Sequence, residues 1–111
     1  MFVVSLLITD MSTADSRYVP LPVACRLVKA MSVLDTAMTV ADETFTFGDG
    51  TTTIGTITVA YSGSAEGDVD DMVWAANVAL GPATPLKIAI GGTSTGGAGT
   101  LTMMFSEYHA A

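Results

Sequence analysis

Hydrophobic and polar residues alternate with period two along most of this chain, which is the pattern of β-strands that bury one face. Four segments show it clearly: TFTF (44–47), TITVAY (56–61), PLKIAI (85–90) and TLTMMFSEY (100–108). We expect each to be a strand whose large side chains point to a common core. These predicted inward-facing residues are Phe45, Phe47, Ile57, Val59, Tyr61, Leu86, Ile88, Ile90, Leu101, Met103 and Phe105.

The run VACRLVKAMSVL (23–34) is long enough for another full strand. Side chains of successive strand residues point to opposite faces. Strict alternation therefore predicts that Arg26 and Lys29 lie on opposite faces of this strand.

The first apolar run, FVVSLLIT (2–9), is also predicted to be a strand, because it lacks the basic segment that begins a signal peptide. An antiparallel strand with one solvated face would alternate apolar and polar residues, whereas this strand is apolar on both faces. It is therefore either a central strand or one that packs against another subunit. One face carries Phe2, Val4, Leu6 and Ile8, and the other carries Val3 and Leu7.

Glycine and proline separate the predicted strands. FGDGT (47–51) places an Asp-Gly pair between two threonine-rich strands, which predicts a hairpin. The two prolines of GPATP (81–85) cannot continue a ladder of backbone hydrogen bonds. The spacing predicts an all-β fold, an antiparallel β-sandwich of about seven to eight strands with at most one short helix. The length predicts a single domain over residues 1–111.

Residues 66–80 have two interpretations. In a short helix, Asp68 and Asp71 would form a capping box, an apolar stripe would follow, and Gly81-Pro82 would end it. In the other interpretation, a turn leads into an extended segment. Short apolar runs do not discriminate between helix and strand, so the sequence leaves both open.

The composition is apolar for a small domain. Half of the 111 residues are hydrophobic and 14% are charged, and the mean hydropathy is +0.52. A domain of this size has little interior in which to bury so many apolar side chains. We therefore expect a partner to cover part of the surface, which favours an intersubunit position for the strand at 2–9.

The net charge of −7 excludes some partners. Only Arg17, Arg26, Lys29 and Lys87 are basic, and they do not form a run. Nucleic acids and anionic membranes are bound through clusters of Lys and Arg. We expect neither as a partner.

Four acidic residues cluster beside the only tryptophan, at Glu66, Asp68, Asp70 and Asp71. Carboxylates suit calcium, but an EF-hand loop spreads its ligands over about twelve residues and closes with Glu. A catalytic pair of carboxylates, as in glycosidases, would need a partner that the sequence does not identify. We expect a solvated acidic turn with no metal ion.

Candidate catalytic groups are few. Cys25 lies in an apolar run, and the single histidine, His109, lies near the end of the chain, where residues are poorly ordered unless tied down. The glycine-rich GGTSTGGAGT (91–100) lacks the Gly-Lys-Ser/Thr ending of a phosphate-binding loop and predicts a flexible hairpin loop. We expect no catalytic residue, no cofactor and no enzymatic activity.

Three segments carry a resemblance to a known family: LPVACRLVKAMSVL (21–34), TITVAYSGSAEGDV (56–69) and AANVALGPATPLKIAIGGTST (75–95). Over about positions 20–105, the chain resembles the small capsid cement, or decoration, proteins of tailed bacteriophages. The resemblance implies a jelly-roll-like β-sandwich on the exterior of the virion. It further implies a homotrimer that binds the major capsid protein on the outer surface of the head and clamps neighbouring capsomers.

Two groups of residues are predicted to make the contacts of such a protein. Arg17 and Tyr18 precede a Pro-Leu-Pro turn, and Arg and Tyr are typical interface anchors, so we expect them to contact the capsid. The apolar residues of the first strand are expected to form the subunit interface. They are Phe2, Val3, Val4, Leu6, Leu7 and Ile8.

The alternative function is a carbohydrate- or receptor-binding β-sandwich module of a phage fibre or cell surface. A sugar binder would expose Trp74 or Tyr61 beside acids in a groove. A cement protein would instead cover its apolar patches in flat subunit contacts. A tryptophan such as Trp74 is more often part of a core than of an exposed ligand-binding surface.

Overall fold

In the computed structural model, which describes residues 1–92 and 97–107, the chain is all β. The described residues form nine strands and no helix. The strands are β1 (Phe2–Ile8), β2 (Asp15–Val19), β3 (Cys25–Thr36), β4 (Glu43–Gly48), β5 (Thr53–Val59), β6 (Val69–Asp71), β7 (Val73–Trp74), β8 (Leu86–Ile90) and β9 (Ala98–Glu107).

The strands form two antiparallel sheets. The four-stranded sheet has the order β1-β9-β3-β6, and the five-stranded sheet has the order β2-β8-β4-β5-β7. β1 pairs with β9, β2 with β8, β3 with β6 and β4 with β5, so the chain resembles one long hairpin rolled into two layers. That is the connectivity of a jelly roll. The predicted antiparallel, jelly-roll-like β-sandwich is confirmed.

The alternation of apolar residues marks the core as predicted, with one exception. The large side chains of β4, β5, β8 and β9 are buried between the sheets, whereas Tyr61 follows the end of β5 and is 43% exposed. The buried side chains that alternation predicted are Phe45, Phe47, Ile57, Val59, Leu86, Ile88, Ile90, Leu101, Met103 and Phe105.

The helical interpretation of residues 66–80 is wrong, and the extended one is confirmed. Asp68 does not cap a helix, because its Oδ2 accepts a hydrogen bond from the Ala65 amide at 2.8 Å across a turn. Residues 69–71 then pair with β3, and residues 73–74 pair with β5. Distant strands thus supply the hydrogen bonds that a helix would have made locally.

Arg26 and Lys29 lie on the same face of β3, contrary to the prediction. Leu27 pairs with Phe105 and Lys29 with Met104, so Val28 is an extra residue in the ladder. Such a β-bulge shifts the alternation by one position. Both basic side chains are therefore exposed on the outer face of the four-stranded sheet.

The predicted hairpin between β4 and β5 is confirmed. The Asp49 Oδ1 accepts hydrogen bonds from the amides of Thr51 and Thr52 at 2.8 and 2.7 Å. These bonds lower the pKa of the Asp49 carboxyl, with Thr52 as the larger cause. Gly50 has a φ of 96°, a conformation that favours glycine.

Each sheet has two edge strands, and these edges set the positions of the candidate sites. The edges are β1 and β6 in one sheet and β2 and β7 in the other. Since β6 contacts β5, the edges β6 and β7 border one side of the sandwich. β1 and β2 therefore border the opposite side.

Candidate interaction surface

The first strand is an edge strand, so of the two alternatives the central position is wrong, and packing against another subunit stays a prediction. β1 pairs with β9 from Phe2↔Phe105 to Ile8↔Gly99 without a register shift, and its other edge pairs with no described residue. Its inner face is anchored in the core. Ile8 is fully buried, and the Phe2 ring stacks on Phe105 with centroids 5.0 Å apart. Val4 and Leu6 also pack against the core and are partly buried.

The outer face of β1 exposes apolar side chains. Val3 and Leu7 are each 56% exposed. Ser5 lies between them, and its hydroxyl is 3.3 Å from that of Thr102 on β9. The six residues predicted as a subunit interface therefore divide into four that pack inward and two, Val3 and Leu7, that are available to a partner.

Apolar residues continue across the outer face of the four-stranded sheet. The register aligns Val3 with Met104, and Leu7 with Thr100 and Val33. Val33 in turn pairs with Val69, which is 57% exposed. We refer to the following residues as the outer apolar face: Val3, Leu7, Met31, Val33, Val69 and Met104.

The sequence analysis did not identify the part of this face outside β1. One signal was present: Met103 and Met104 are adjacent apolar residues in an otherwise alternating strand, so one of them had to face outward. The charged residues Arg26, Lys29 and Asp71 are exposed on the same face. The face therefore mixes these apolar side chains with polar ones, because Thr100 lies between Leu7 and Val33 and Lys29 lies beside Met104.

Arg17 and Tyr18 lie on β2, at the neighbouring edge. The Arg17 Nε is 3.1 Å from the Asp15 Oδ2, so the guanidinium is already paired within its own strand. Tyr18 is 61% exposed and pairs with Lys87 of β8. Tyr18 is thus free to contact a partner. The Arg17 guanidinium could contact a partner only while it stays paired with Asp15 or after it leaves that ion pair.

The structure separates the two predicted contact groups. Val3 and Leu7 lie on the outer face of the four-stranded sheet. Tyr18 is opposite Lys87 and out of register with the buried Ile88, so it lies on the outer face of the five-stranded sheet. These faces point in opposite directions, so one molecule can contact two different neighbours.

The acidic cluster has local structural roles. Asp70 pairs with the buried Ser32 of β3. Burial raises the pKa of the Asp70 carboxyl, and the nearby carboxylates of Asp68 and Asp71 raise it further. Within residues 1–92 and 97–107, no three His, Cys, Asp or Glu side chains are arranged to hold a metal ion.

The two aromatic residues of the alternative function do not form one platform. Trp74 is 44% exposed and pairs with Gly55 near the start of β5, whereas Tyr61 follows the end of that strand. Tyr61 lies six positions after Gly55, which corresponds to about 20 Å of extended chain. Gly55 allows this approach of β7, because a Cβ there would lie 2.6 Å from the Val73 carbonyl oxygen.

Two of the hollows on the described part of the surface could hold a small ligand by size. One, of about 130 Å³, lies beside the β4–β5 turn and is lined by threonine residues, Lys87 and Ala89. The other, of about 410 Å³, is lined by Arg26, Asn77, Val78 and Ala79. Neither lining includes Trp74 or Tyr61, so neither is the aromatic groove that the alternative function predicts.

Glu43 is a buried carboxylate that the sequence analysis did not identify. It is 0% exposed, and its Oε1 accepts hydrogen bonds from the amides of Thr44 and Gly92 at 2.9 and 3.0 Å. Its Oε2 has no partner among the described residues. The side chain ties the start of β4 to the loop after β8, which is a structural role.

The remaining candidate nucleophile is inaccessible. Cys25 is fully buried, and burial raises the pKa of its thiol, with a smaller contribution from Glu107. A raised pKa lowers the fraction of reactive thiolate. His109 lies outside the described residues, as does part of the glycine-rich loop at 93–96. In the part of the chain that is described, no helix is long and apolar enough to cross a membrane.

No protein-family model, no curated protein and no solved structure matches the chain. The resemblance to capsid cement proteins therefore rests on the quoted segments alone, and no comparison supports it.

Proposed function

We propose that this protein is a capsid cement protein, which binds the outer surface of a tailed-phage head and stabilises contacts between capsomers. The observation that carries the proposal is the outer apolar face, which begins at the exposed Val3 and Leu7 of β1 and continues to Val69. Exposed apolar side chains grouped on one face of a sheet favour a site of protein interaction. A flat sheet face suits a flat protein partner better than a small ligand.

Three further properties support the proposal. The net charge of −7 favours a protein partner over nucleic acid. The jelly-roll connectivity recurs in domains of viral capsids, although a fold alone does not define a function. The segments at 21–34, 56–69 and 75–95 resemble capsid cement proteins.

The two opposite outer faces suit a protein that links neighbours. Tyr18 on one face would contact the major capsid protein, while the outer apolar face would contact an adjacent subunit. A protein that binds only the assembled shell stabilises that shell by mass action. Many copies on one shell then add through multivalency. The homotrimer that the resemblance implies stays a prediction.

The proposal is tested by titrating the purified protein onto undecorated shells of the phage whose genome encodes it. We expect saturable co-sedimentation at a fixed ratio to the major capsid protein, and shells that resist heat better. Tyr18→Ala should weaken binding by about tenfold, the scale of one interface anchor. Tyr61→Ala is the matched control, because it removes another exposed tyrosine at a distance from β2. Absence of saturable binding would contradict the proposal.

A carbohydrate-binding module is the second candidate, and the exposure of Trp74 favours it. The ring of Trp74 is 44% exposed and offers an apolar surface on which a sugar could stack. A glycan array with the wild-type protein and with Trp74→Ala tests this function directly. Glycan binding that is lost in Trp74→Ala would favour this candidate over cement.

A further inference from the structure

We propose that two copies of this chain associate through β1, antiparallel, about a twofold axis at Ser5. The four-stranded sheets of the two copies would then form one continuous eight-stranded sheet. This inference goes beyond the proposed function and does not rest on it, because a twofold pair could serve a cement protein, a sugar-binding module or neither.

The first observation is that β1 is an unprotected edge. Natural edge strands avoid pairing with other chains through charged residues, prolines, bulges or short length. β1 has seven residues, FVVSLLI, with no charge and no proline. Its pairing with β9 runs without a register shift, so no bulge twists the edge away from a partner.

The second observation is the symmetry of β1 about Ser5. An antiparallel second copy, paired with Ser5 opposite Ser5, places Val3 opposite Leu7 on the outer face and Val4 opposite Leu6 on the inner face. Phe2 would lie opposite Ile8. Every pair joins residues of the same polarity, and the only polar residue meets its own copy. A strand that is self-complementary in this way fits a second copy of the chain, as an isologous twofold contact requires.

The other sheet edges do not share this property. Antiparallel self-pairing of β2 about its central residue would place Arg17 opposite Arg17, and like charges directly opposite are unfavourable. β6 has only three residues, of which Asp70 and Asp71 are acidic. β7 has two residues. Among the strands that are described, β1 is thus the edge that is long, uncharged and self-complementary.

The expected interface is modest in size. A strand of seven residues spans about 23 Å, and its pairing would add about six to eight backbone hydrogen bonds between the copies. The contact would also cover the partly exposed inner residues Phe2, Val4 and Leu6. Interfaces at the low end of the size range are weak or transient, so we expect a dimer with a Kd of about 1–100 μM.

The test measures the mass of the protein in solution by sedimentation equilibrium across that concentration range. The wild-type protein should approach twice the 11.4 kDa chain mass. Ser5→Lys and Ser5→Glu should each weaken self-association by at least about tenfold, because like charges would meet at the twofold axis. An equimolar mixture of the two variants should restore the dimer, because residue 5 of one copy lies opposite residue 5 of the other.

Ser16→Lys is the matched control, since Ser16 is an exposed serine on the neighbouring edge strand β2. It should leave the dimer unchanged. Ser5 is exposed as well, so circular dichroism should show that all variants keep the fold. A wild-type monomer throughout the range, a trimer, or a dimer equally sensitive to Ser16→Lys would overturn the inference. Shell binding by a monomer or trimer would leave the proposed function intact.

Discussion

β1 and β2 border one side of the sandwich, and they differ in how their free edges are protected from pairing with another chain. β2 has five residues, and its ion pair between Arg17 and Asp15 places charges along the edge. β1 has seven residues without a charge, and it exposes Val3 and Leu7. An edge strand without such protection is a site for pairing with another chain. The difference indicates that charges protect the β2 edge from pairing with a strand of another chain, whereas the β1 edge has no such protection.

The residues that anchor β1 in the core differ from the residues that β1 offers to a second copy of the chain. Both strands end in a buried apolar residue, Ile8 in β1 and Val19 in β2. The core therefore holds β1 along its whole inner face but holds β2 mainly at Val19, and the two strands also differ in what they present to solvent. Changes on the inner face of β1 should alter stability, while changes on its outer face should alter association.

The largest expected effect comes from Ile8→Ala. Ile8 is fully buried, and truncation of a buried isoleucine removes apolar contacts and leaves a cavity, at a cost of about 2–5 kcal/mol in the free energy of unfolding. Leu7→Ala, one residue away on the exposed face, should change that free energy by only about 0.5 kcal/mol. Urea unfolding at a protein concentration below the dimer Kd measures both. Equal effects of the two variants would contradict the division of β1 into an anchoring face and an association face.

An intermediate effect is expected when the charges of β2 are removed. Asp15→Ser combined with Arg17→Val should change stability by no more than about 1 kcal/mol, because the ion pair is largely exposed. The variant should nevertheless form species larger than a dimer, because each molecule would then have two unprotected edges. Light scattering measures this growth. The charge swap Asp15→Arg with Arg17→Asp is the control, and it should not grow, since the edge stays charged.

The smallest effect concerns the acidic edge strand β6. Burial, together with Asp68 and Asp71, raises the folded-state pKa of Asp70. The folded protein therefore binds this proton more tightly than the unfolded chain does, and the associated stability is present below the unfolded pKa of 3.8 and is lost as pH rises through the folded pKa. Asp70→Asn should stabilise the protein at pH 7 by about 0.5 kcal/mol or less.

Urea unfolding at several pH values tests this prediction for Asp70. The advantage of Asp70→Asn over the wild-type protein should shrink as pH falls through the folded-state pKa of Asp70, and it should be lost once pH is below 3.8. Asp71→Asn is the control, because Asp71 is exposed on the outer face of the sheet. An advantage for Asp70→Asn that is the same at all pH values would contradict the assigned cause.

The sequence predicted the features that depend on local alternation. The core residues Phe45 and Ile57 and the two apolar faces of the first strand follow from period two alone. The sequence did not predict features that depend on distant pairing. The bulge at Val28 exists only in the register with β9. The buried Glu43 accepts a hydrogen bond from the Gly92 amide, which is 49 residues away along the chain.

The outer apolar face also depends on pairing between distant strands, which the sequence did not predict. Val3 and Leu7 could be assigned to one face from the sequence, because they lie on one strand. Val33 and Val69 join them only through the ladders of β9, β3 and β6. A surface assembled from four strands becomes visible when the register is known.

The most direct test of the central claim, that β1 is the edge through which copies associate, is disulfide formation in Ser5→Cys. Opposite residues of paired antiparallel strands have Cα atoms about 4.5–5.5 Å apart, within the range that a disulfide spans. Cys25 is buried and should not compete. Under mild oxidation, Ser5→Cys should form a covalent dimer quickly, while Ser16→Cys on β2 should stay monomeric. Equal and slow cross-linking of the two variants would contradict the claim.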